Sequence, residues 1–386
     1  MLPIALKSFH IKNYRGIIDT QIDNIPPDTQ WIFLTGENGF GKTSVLQGIA
    51  LASTANLNPD AKILVLNNED SKEPEDCKIE IYSQNSIVKL PYERIDGNSL
   101  LIDIMLLYKI AAYGSSRLRV ASDVSTEMIL NKFPSTKSLF TNDYLLLNIE
   151  QYFKDWYKED TKGFKQLEKV FKTLLPKLDK ILVEFKEKQL KVRYFEKDDS
   201  ENLYKHGALL DDLAAGYKNI IAMIGDLIFR LYLTQNKGNF NDLECIVLID
   251  EIELHLHPKY QKLFVQKLTE LFPKIQFIVS THSPIPLLGA PKNSVIINVS
   301  RTREEGIKAE LLDIDFSVLT PNAILSSPIF GFQDLIPESK SDDVMIRSED
   351  TYKEVLFNDQ LDKQISEYLT EDNQKELLDL LKENNL

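Results

Sequence analysis

Length, composition and charge exclude several classes of protein. The chain has 386 residues, of which 43% are hydrophobic, so it can bury a large core as one big domain with an insertion or as two modest domains. No apolar run reaches the ~20 residues of a bilayer-spanning helix, and the first residues favour a strand over a signal peptide, which predicts a cytoplasmic protein. The formal charge of -13 argues that the protein surface as a whole does not bind nucleic acid, because contacts to phosphates need clustered Lys and Arg.

The charge is distributed unevenly along the chain. Residues 151–193 contain 12 Lys and Arg against 7 Asp and Glu, whereas residues 341–386 contain 5 against 13. A local basic surface and an acidic tail are therefore predicted together. The two cysteines, Cys77 and Cys245, indicate neither a disulfide framework nor a cysteine metal site, and this favours a reducing compartment.

The N-terminal half predicts strands, one helix and then a change of pattern. Two strands joined by a turn at Arg15 and Gly16 are followed by a buried strand at "QWIFLTG", a helix over about 42–52 and an exposed loop over 56–74. Further strands are predicted near "CKIEIY" and "LLIDIMLLYKIAAYG". From about 149 to 188 apolar residues recur at helical spacing, which predicts a helical insertion.

The C-terminal half returns to alternating strands and helices. A long helix at "YKNIIAMIGDLIFRLYL" precedes a strand "CIVLID", a helix from about Lys259, and strands "IQFIVS" and "SVIINV". Strands that are apolar throughout are typical of a parallel sheet covered on both faces, so the predicted fold class is α/β with a mixed, mainly parallel sheet. The predicted divisions are an N-terminal core segment over 1–148, a helical insertion over 149–190, a C-terminal core segment over 191–325 and an acidic helical tail over 326–386.

The segment "GENGFGKTS" predicts a phosphate-binding loop. It satisfies G-x-x-x-x-G-K-[ST] and lies between a predicted strand and a predicted helix, as this pattern requires. Backbone N–H groups and the helix N-terminus would bind phosphate oxygens, Lys42 would reach the β- and γ-phosphates of ATP, and Thr43 would ligate Mg²⁺. The predicted ATP-binding residues of this loop are Gly36, Glu37, Asn38, Gly39, Phe40, Gly41, Lys42, Thr43 and Ser44.

Two further strand ends carry candidate catalytic residues. Asp250 and Glu251 follow an apolar strand, where Asp250 would hold Mg²⁺ through water and Glu251 would orient the attacking water. His282 ends the next predicted strand, from which it would reach a γ-phosphate, although a histidine at a sheet edge is often structural. His255 and His257 do not match a closed zinc site and are predicted to shape the turn after Glu251.

These motifs together resemble the ABC-type ATPase heads of the SMC, RecF and OLD-like group. "IKNYRGI", the loop at 36–43, "IDEIELHLHP" and "STHSP" are similar to that group's N-terminal Arg strand, Walker A, Walker B with D-loop, and switch histidine; "AAYGSSR" also resembles a segment of its single-chain bacterial members. The resemblance spans about residues 5–300. It implies a P-loop NTPase head that dimerises head to head around two ATP molecules, each site completed by a signature segment of the other protomer.

The resemblance also implies roles for residues outside the three motifs. The signature candidate is "LAAGYK", in which Gly216 and Lys218 would serve the nucleotide, while Ala214 replaces the serine whose hydroxyl would meet the γ-phosphate. That replacement implies slow turnover, and the alternative is that the segment only begins a helix. Arg15 would approach the nucleotide or remain solvated, and Arg117 would line the site or form a structural ion pair.

Standalone heads of this size resemble ATPase subunits of bacterial anti-phage defence systems such as Septu and PARIS, which partner a nuclease. No nuclease pattern follows residue 300, so the effector is predicted to be a separate protein.

The basic insertion, with Phe153, Trp156 and Tyr157 nearby, is a candidate contact for DNA or a partner. Alternatives are a RecF-like DNA repair clamp and a scaffold that assembles on ATP with little hydrolysis; a transporter motor is disfavoured by the "NYRGI" start and the altered signature.

Overall fold

The structure is a computed structural model that divides into two units, Met1–Ile314 and Asp315–Leu386. It describes residues 2–54, 78–83, 87–90, 110–117, 120, 135–159, 161–186, 189–198, 200, 202–204, 206–235, 237–316, 319–330 and 352–368. The first unit carries every predicted site residue, and the second includes the predicted acidic tail over 326–386, of which residues 326–330 and 352–368 are described.

Twelve strands and five α-helices are described in the first unit. The strands are β1 (Leu6–Tyr14), β2 (Ile17–Ile22), β3 (Trp31–Thr35), β4 (Lys78–Ser83), β5 (Ile87–Leu90), β6 (Ile110–Tyr113), β7 (Leu178–Lys186), β8 (Gln189–Glu196), β9 (Cys245–Ile249), β10 (Ile275–Ser280), β11 (Val295–Thr302) and β12 (Gly306–Leu312). The helices are α1 (Lys42–Thr54), α2 (Ile149–Glu159), α3 (Thr161–Leu174), α4 (Ala215–Gln235) and α5 (Pro258–Leu271). The described residues of the second unit contain α6 (Pro321–Ser326) and α7 (Tyr352–Tyr368).

Ten of the described strands form one mixed sheet. Their order is β5-β4-β1-β2-β12-β11-β3-β10-β9-β6, with parallel pairing from β11 through β6 and antiparallel pairing from β5 through β11. Every residue of β3, β9 and β10 is buried, as expected for central strands covered on both faces. The predicted α/β fold with a mixed sheet is therefore confirmed.

The parallel half of the sheet determines where the site lies. In the register of this half, Ile249 on β9 pairs with Val279 on β10, and Ser280 on β10 pairs with Leu34 on β3. The carboxyl ends of these three strands therefore meet at one edge. Residues that follow the strands directly, such as the loop before α1 and Asp250 after β9, are brought to the same place.

The insertion is only half helical, so the prediction of helix as far as residue 188 is wrong beyond Leu174. Pro176 cannot continue the helix, because proline has no backbone N–H to donate. The following residues alternate, with Ile181 and Val183 buried on one face, and they form an antiparallel hairpin of β7 and β8. Alternating burial of β-branched side chains favours a strand. In the sequence, this alternation was not separated from the helical spacing that ends just before it.

The aromatic side chains of α2 pack in two directions, since Trp156 contacts α4 and Phe153 contacts α3. Phe153 is fully buried, and Trp156 packs against Phe229, Tyr232 and Phe240, with its ring centroid 5.0 Å from that of Tyr232. Tyr157, in contrast, is 48% exposed. Phe153 is therefore not available to DNA or a partner protein, because its ring is buried, and Trp156 is half-buried by its own ring contacts. The contact of the basic insertion with DNA or a partner stays a prediction.

Several predictions fall outside the described residues. Cys77, the loop over 56–74, most of "LLIDIMLLYKIAAYG" and the last predicted helix at "QKELLDLLKEN" are among them. Cys245 is described, and it is buried at the start of β9. A search of the described helices finds none with the length and apolar character needed to cross a membrane. Strands β5 and β12 were not predicted.

Candidate nucleotide site

The loop at 36–43 has backbone angles that glycine adopts without strain. Gly36 has φ +133° and Gly39 has φ +79°. A Cβ on Gly36 would lie 2.1 Å from the carbonyl oxygen of Val299 in β11, whereas a Cβ on Gly39 would meet nothing within 4 Å. The first glycine therefore lets the loop pack against the sheet, and the second leaves its outer face open for a ligand.

Lys42 is folded back onto the loop. Its Nζ donates to the carbonyl oxygens of Gly36 at 2.7 Å and Glu37 at 2.9 Å, and the residue is 4% exposed. Burial lowers the pKa of the ammonium group, and the nearby carboxylates, Asp250 first among them, act in the opposite direction. The ammonium is thus held in the curve of the loop by neutral acceptors that a phosphate oxygen can replace.

Thr43 and Asp250 form the region of the site that suits a magnesium ion. The Thr43 hydroxyl donates to the two carboxylate oxygens of Asp250 at 2.9 and 3.1 Å, so these side chains reach a common point. Asp250 is 5% exposed. Hydroxyl and carboxylate oxygens are ligands that Mg²⁺ prefers, and it commonly takes only one or two from the protein beside substrate phosphates. The residues present therefore fit this ion.

Ser280, which was not predicted, connects the two acidic residues. Its Oγ donates to Asp250 Oδ1 at 2.6 Å and accepts from the Glu251 backbone N–H at 2.7 Å, and the residue is fully buried. The sequence shows only a serine that ends an apolar strand. Its role depends on the pairing of β10 with β9, which no local pattern reveals.

Glu251, Glu253 and His282 form the other side of this edge. His282 Nε2 lies 3.5 Å from Glu251 Oε1, and both side chains are about a third exposed. The backbone N–H of His282 donates to Glu253 Oε1 at 2.6 Å, while the buried Glu253 Oε2 has no hydrogen-bond partner among the described residues. Sequence reasoning missed Glu253, which holds the backbone of the strand end that carries His282.

Arg117 is buried next to the backbone of Asp250 and Glu251, with only 1% of the residue exposed. It donates to the backbone oxygens of Asp250 and Glu251 and to the side chain of Asn219 on α4. In the described portion of the chain it forms no ion pair within salt-bridge distance, so the predicted structural ion pair is not what holds it. It contacts the strand end from inside the protein.

The signature candidate lies at the start of α4, next to the turn after Glu251. Ala214 is exposed and directly precedes the helix. A Cβ on Gly216 would lie 2.6 Å from the carbonyl oxygen of His255, so this turn packs closely against the helix. Lys218 Nζ donates to the backbone oxygen of Asp211 at 2.9 Å. The nucleotide roles of these residues stay predictions.

Two other predicted residues contact neighbours of the site. Arg15, at φ +44°, donates from Nη1 to Gln47 on α1, four residues after Thr43, and its guanidinium lies 5.8 Å from the ring centre of Phe140. Within the described ranges Arg15 makes no hydrogen bond to residues 36–44. His257 caps α5, with Nδ1 accepting from the Lys259 N–H.

Comparison with known proteins finds similarity to ATPases. Residues 119–285 match the family described as AAA ATPase domain; the match includes Asp250, Glu251 and His282 but begins after the loop at 36–43. The Septu protein PtuA of Bacillus mycoides (strain KBAB4) is 29% identical over 357 residues, which are 86% of this chain and 46% of that protein. The Retron Vc95 probable ATPase of Vibrio cholerae is 43% identical over 115 residues, which are 29% of this chain and 20% of that protein.

This chain therefore spans less than half the length of the curated relatives it matches. Among solved structures, the SMC head domain from Thermotoga maritima matches with a TM-score of 0.43 and 13% identity, covering 80% of this chain and 99% of that one. Scores at this level are too low for the likeness to bear on the site. The predicted resemblance to Septu-type ATPases is confirmed: a segment of the chain matches the AAA ATPase domain family, and the chain is similar to Septu PtuA proteins and retron ATPases.

Proposed function

We propose that this chain binds ATP with Mg²⁺, hydrolyses it, and uses the cycle as a switch that controls a partner effector. The observation that carries the proposal is the meeting of Lys42, Thr43, Asp250, Glu251 and His282 at one edge of the sheet. A phosphate-binding loop, a magnesium-type donor pair and a carboxylate beside a histidine are the components that phosphoryl transfer to water requires.

Each residue has a distinct role in the proposed reaction. Lys42 exchanges its two loop carbonyls for phosphate oxygens, and Thr43 and Asp250 supply oxygens to the metal site, Asp250 through water. Bound Mg²⁺ would neutralise charge on the phosphates. Glu251 accepts a hydrogen bond from the attacking water and orients it in line with the γ-phosphate. His282 contacts the γ-phosphate from the neighbouring strand end, where Glu253 holds its backbone.

The switch would operate through head-to-head dimers. The resemblance to ABC-type heads supports this, because in such dimers a signature segment from one protomer completes the site of the other. Ala214 is exposed at the start of α4, where backbone N–H groups are available to an anion. Since alanine offers no hydroxyl to the γ-phosphate, turnover is expected to be slow unless a partner stimulates it.

The proposed setting is bacterial anti-phage defence in the cytoplasm, with a separate nuclease as the effector. The likeness to Septu PtuA and to a retron ATPase supports this assignment. A RecF-like role in DNA repair would instead show ATP-dependent binding to DNA junctions without an effector. An assembly scaffold would show ATP-dependent size without phosphate release.

We place a nucleic-acid contact on α3. Four exposed lysines, Lys162, Lys165, Lys169 and Lys172, recur at three- and four-residue spacing opposite the buried face of this helix, over ~15 Å of its length. Within the described ranges, Lys165, Lys169 and Lys172 form no ion pair. No large apolar side chain of α3 is exposed, and lysine is depleted in protein interface cores, so the stripe suits a phosphate backbone better than a protein partner.

The test measures assembly and turnover together. Light scattering gives the mass of wild type and Glu251→Gln with and without ATP and Mg²⁺, alongside phosphate release. We expect Glu251→Gln to form a larger assembly on ATP and to release no phosphate. Glu270→Gln, a change of the same kind at an exposed residue of α5 paired with Lys267, should behave as wild type. Equal masses in every condition with no phosphate release would contradict the switch.

A further inference from the structure

We infer that Arg117 is a positioning residue, which aims the Glu251 carboxylate by holding the main chain of Asp250 and Glu251 and ties that segment to α4 through Asn219. The inference rests on the proposed ATP hydrolysis for its catalytic consequence. The restraint that Arg117 places on the backbone after β9 does not depend on ATP hydrolysis, because it follows from the hydrogen bonds of this chain.

Among the described residues, the acceptors that hydrogen-bond to the Arg117 guanidinium group are all neutral. Nη1 donates to the backbone oxygens of Gly114 at 3.0 Å and Asp250 at 2.5 Å, and Nη2 donates to that of Glu251 at 2.6 Å. Nε donates to Asn219 Oδ1 at 2.9 Å. Only a planar fork with fixed donor directions can hold two successive carbonyls and a third group at once, so lysine cannot substitute here.

The environment of Arg117 is unusual for a buried cation. Burial lowers its pKa to about 10, while the carboxylates of Asp250, Glu251 and Glu253 act in the opposite direction. A buried guanidinium ordinarily pairs directly with a carboxylate, because desolvation is costly. Here the donors hold backbone oxygens and Asn219 instead, and the carboxylates of Asp250, Glu251 and Glu253 make their contacts with Thr43, Ser280 and His282.

Glu251 needs this restraint because its backbone is strained. It has φ +50°, a left-handed conformation that a residue with a Cβ adopts only when its surroundings impose it. Ser280 accepts the Glu251 N–H and Arg117 donates to the Glu251 carbonyl, so both peptide groups flanking its Cα are held. These two contacts restrain the backbone from which the Glu251 side chain extends toward His282.

Asn219 extends the restraint to the helix that begins at the signature candidate. While its Oδ1 accepts from Arg117, its Nδ2 donates to the backbone oxygen of Leu254 at 3.0 Å. The residue is 2% exposed and lies four residues into α4. A shift of the first turns of α4 therefore acts on Arg117 and, through it, on the strand end that carries Glu251.

The test compares Arg117→Lys with wild type and with Arg230→Lys, a matched change at a buried arginine of α4 that contacts Asp226 and Tyr144 instead. Hydrogen exchange of the amides in residues 250–256 is measured by mass spectrometry, binding of AMP-PNP with Mg²⁺ by calorimetry, and kcat and KM by phosphate release. For Arg117→Lys we expect faster exchange in this segment, unchanged binding, and a kcat that falls by about 100-fold at similar KM.

Arg230→Lys should leave exchange in 250–256 as in wild type. Unchanged exchange and kcat in Arg117→Lys would overturn the inference, and so would loss of binding in proportion to kcat, which indicates a general structural role. If Arg117→Lys does not fold, Asn219→Ala, which removes the acceptor of Nε and the donor to the Leu254 oxygen, must speed exchange in 250–256 more than Asn219→Asp, which keeps an oxygen acceptor and loses only that donor. A wild type without turnover would refute the proposed function, while the exchange measurement would still decide the role of Arg117.

Discussion

Replacing Gly36 by alanine should destabilise the protein far more than the same change at Gly39, although both glycines lie in the phosphate-binding loop. Both substitutions place a Cβ on a backbone with positive φ. Only at Gly36 does that Cβ also collide with the sheet, at 2.1 Å from the Val299 carbonyl oxygen. Comparing Gly36→Ala with Gly39→Ala therefore separates the destabilisation caused by backbone strain from that caused by steric overlap.

The expected magnitudes follow from these two causes. An unfavourable backbone angle costs about 1–3 kcal/mol, which applies to both variants. Forcing Val299 and the loop apart adds about 1–3 kcal/mol at Gly36, because backbone in a packed sheet cannot move as a flexible side chain does. Gly36→Ala should thus lose about 2–6 kcal/mol of unfolding free energy, and Gly39→Ala about 1–3 kcal/mol.

Urea unfolding followed by tryptophan fluorescence measures this difference. Trp31 is fully buried at the start of β3, the strand that leads into the loop, so its signal reports on the affected region. Gly36→Ala should also lose ATP binding when measured well below its unfolding midpoint. Equal losses of unfolding free energy in the two variants would refute the reasoning, because the overlap with Val299 would then contribute nothing.

Three further changes test other regions of the structure. Ser280→Ala should lower kcat by about 10- to 100-fold with little change in KM, because Asp250 and the Glu251 N–H lose their common partner; a KM effect alone in phosphate-release kinetics would contradict this. Replacing the lysine stripe of α3 by glutamine should reduce the salt slope of duplex DNA binding, by about 0.9 for each phosphate that is no longer neutralised, whereas Lys12→Gln should leave the slope unchanged in fluorescence anisotropy. Phe153→Ala should cost about 3–5 kcal/mol in urea unfolding, since the ring is fully buried; a decrease below about 1 kcal/mol would mean that α2 is not fixed there.

Local patterns in the sequence were sufficient for much of the fold. Strands β3, β9 and β10 are short runs of apolar residues, and the burial of every residue in them explains why period and composition identified them. The same reasoning failed after Leu174, where a strand hairpin follows two helices. Hydrophobic residues such as Leu178 and Ile181 fit both periods over a few residues, and only the pairing of β7 with β8 selects the strand.

Sequence alone was sufficient to predict the chemistry proposed for the site, because the loop at 36–43 and the Asp-Glu pair after β9 are contiguous patterns that local backbone geometry can support. Tertiary structure alone decided which distant groups support that chemistry. Ser280 and Glu253 contact residues at the ends of neighbouring strands, and Arg117 contacts the backbone after β9 from a position 133 and 134 residues earlier in the chain. Such contacts arise from the order and register of strands far apart in sequence, and no spacing within the chain encodes them.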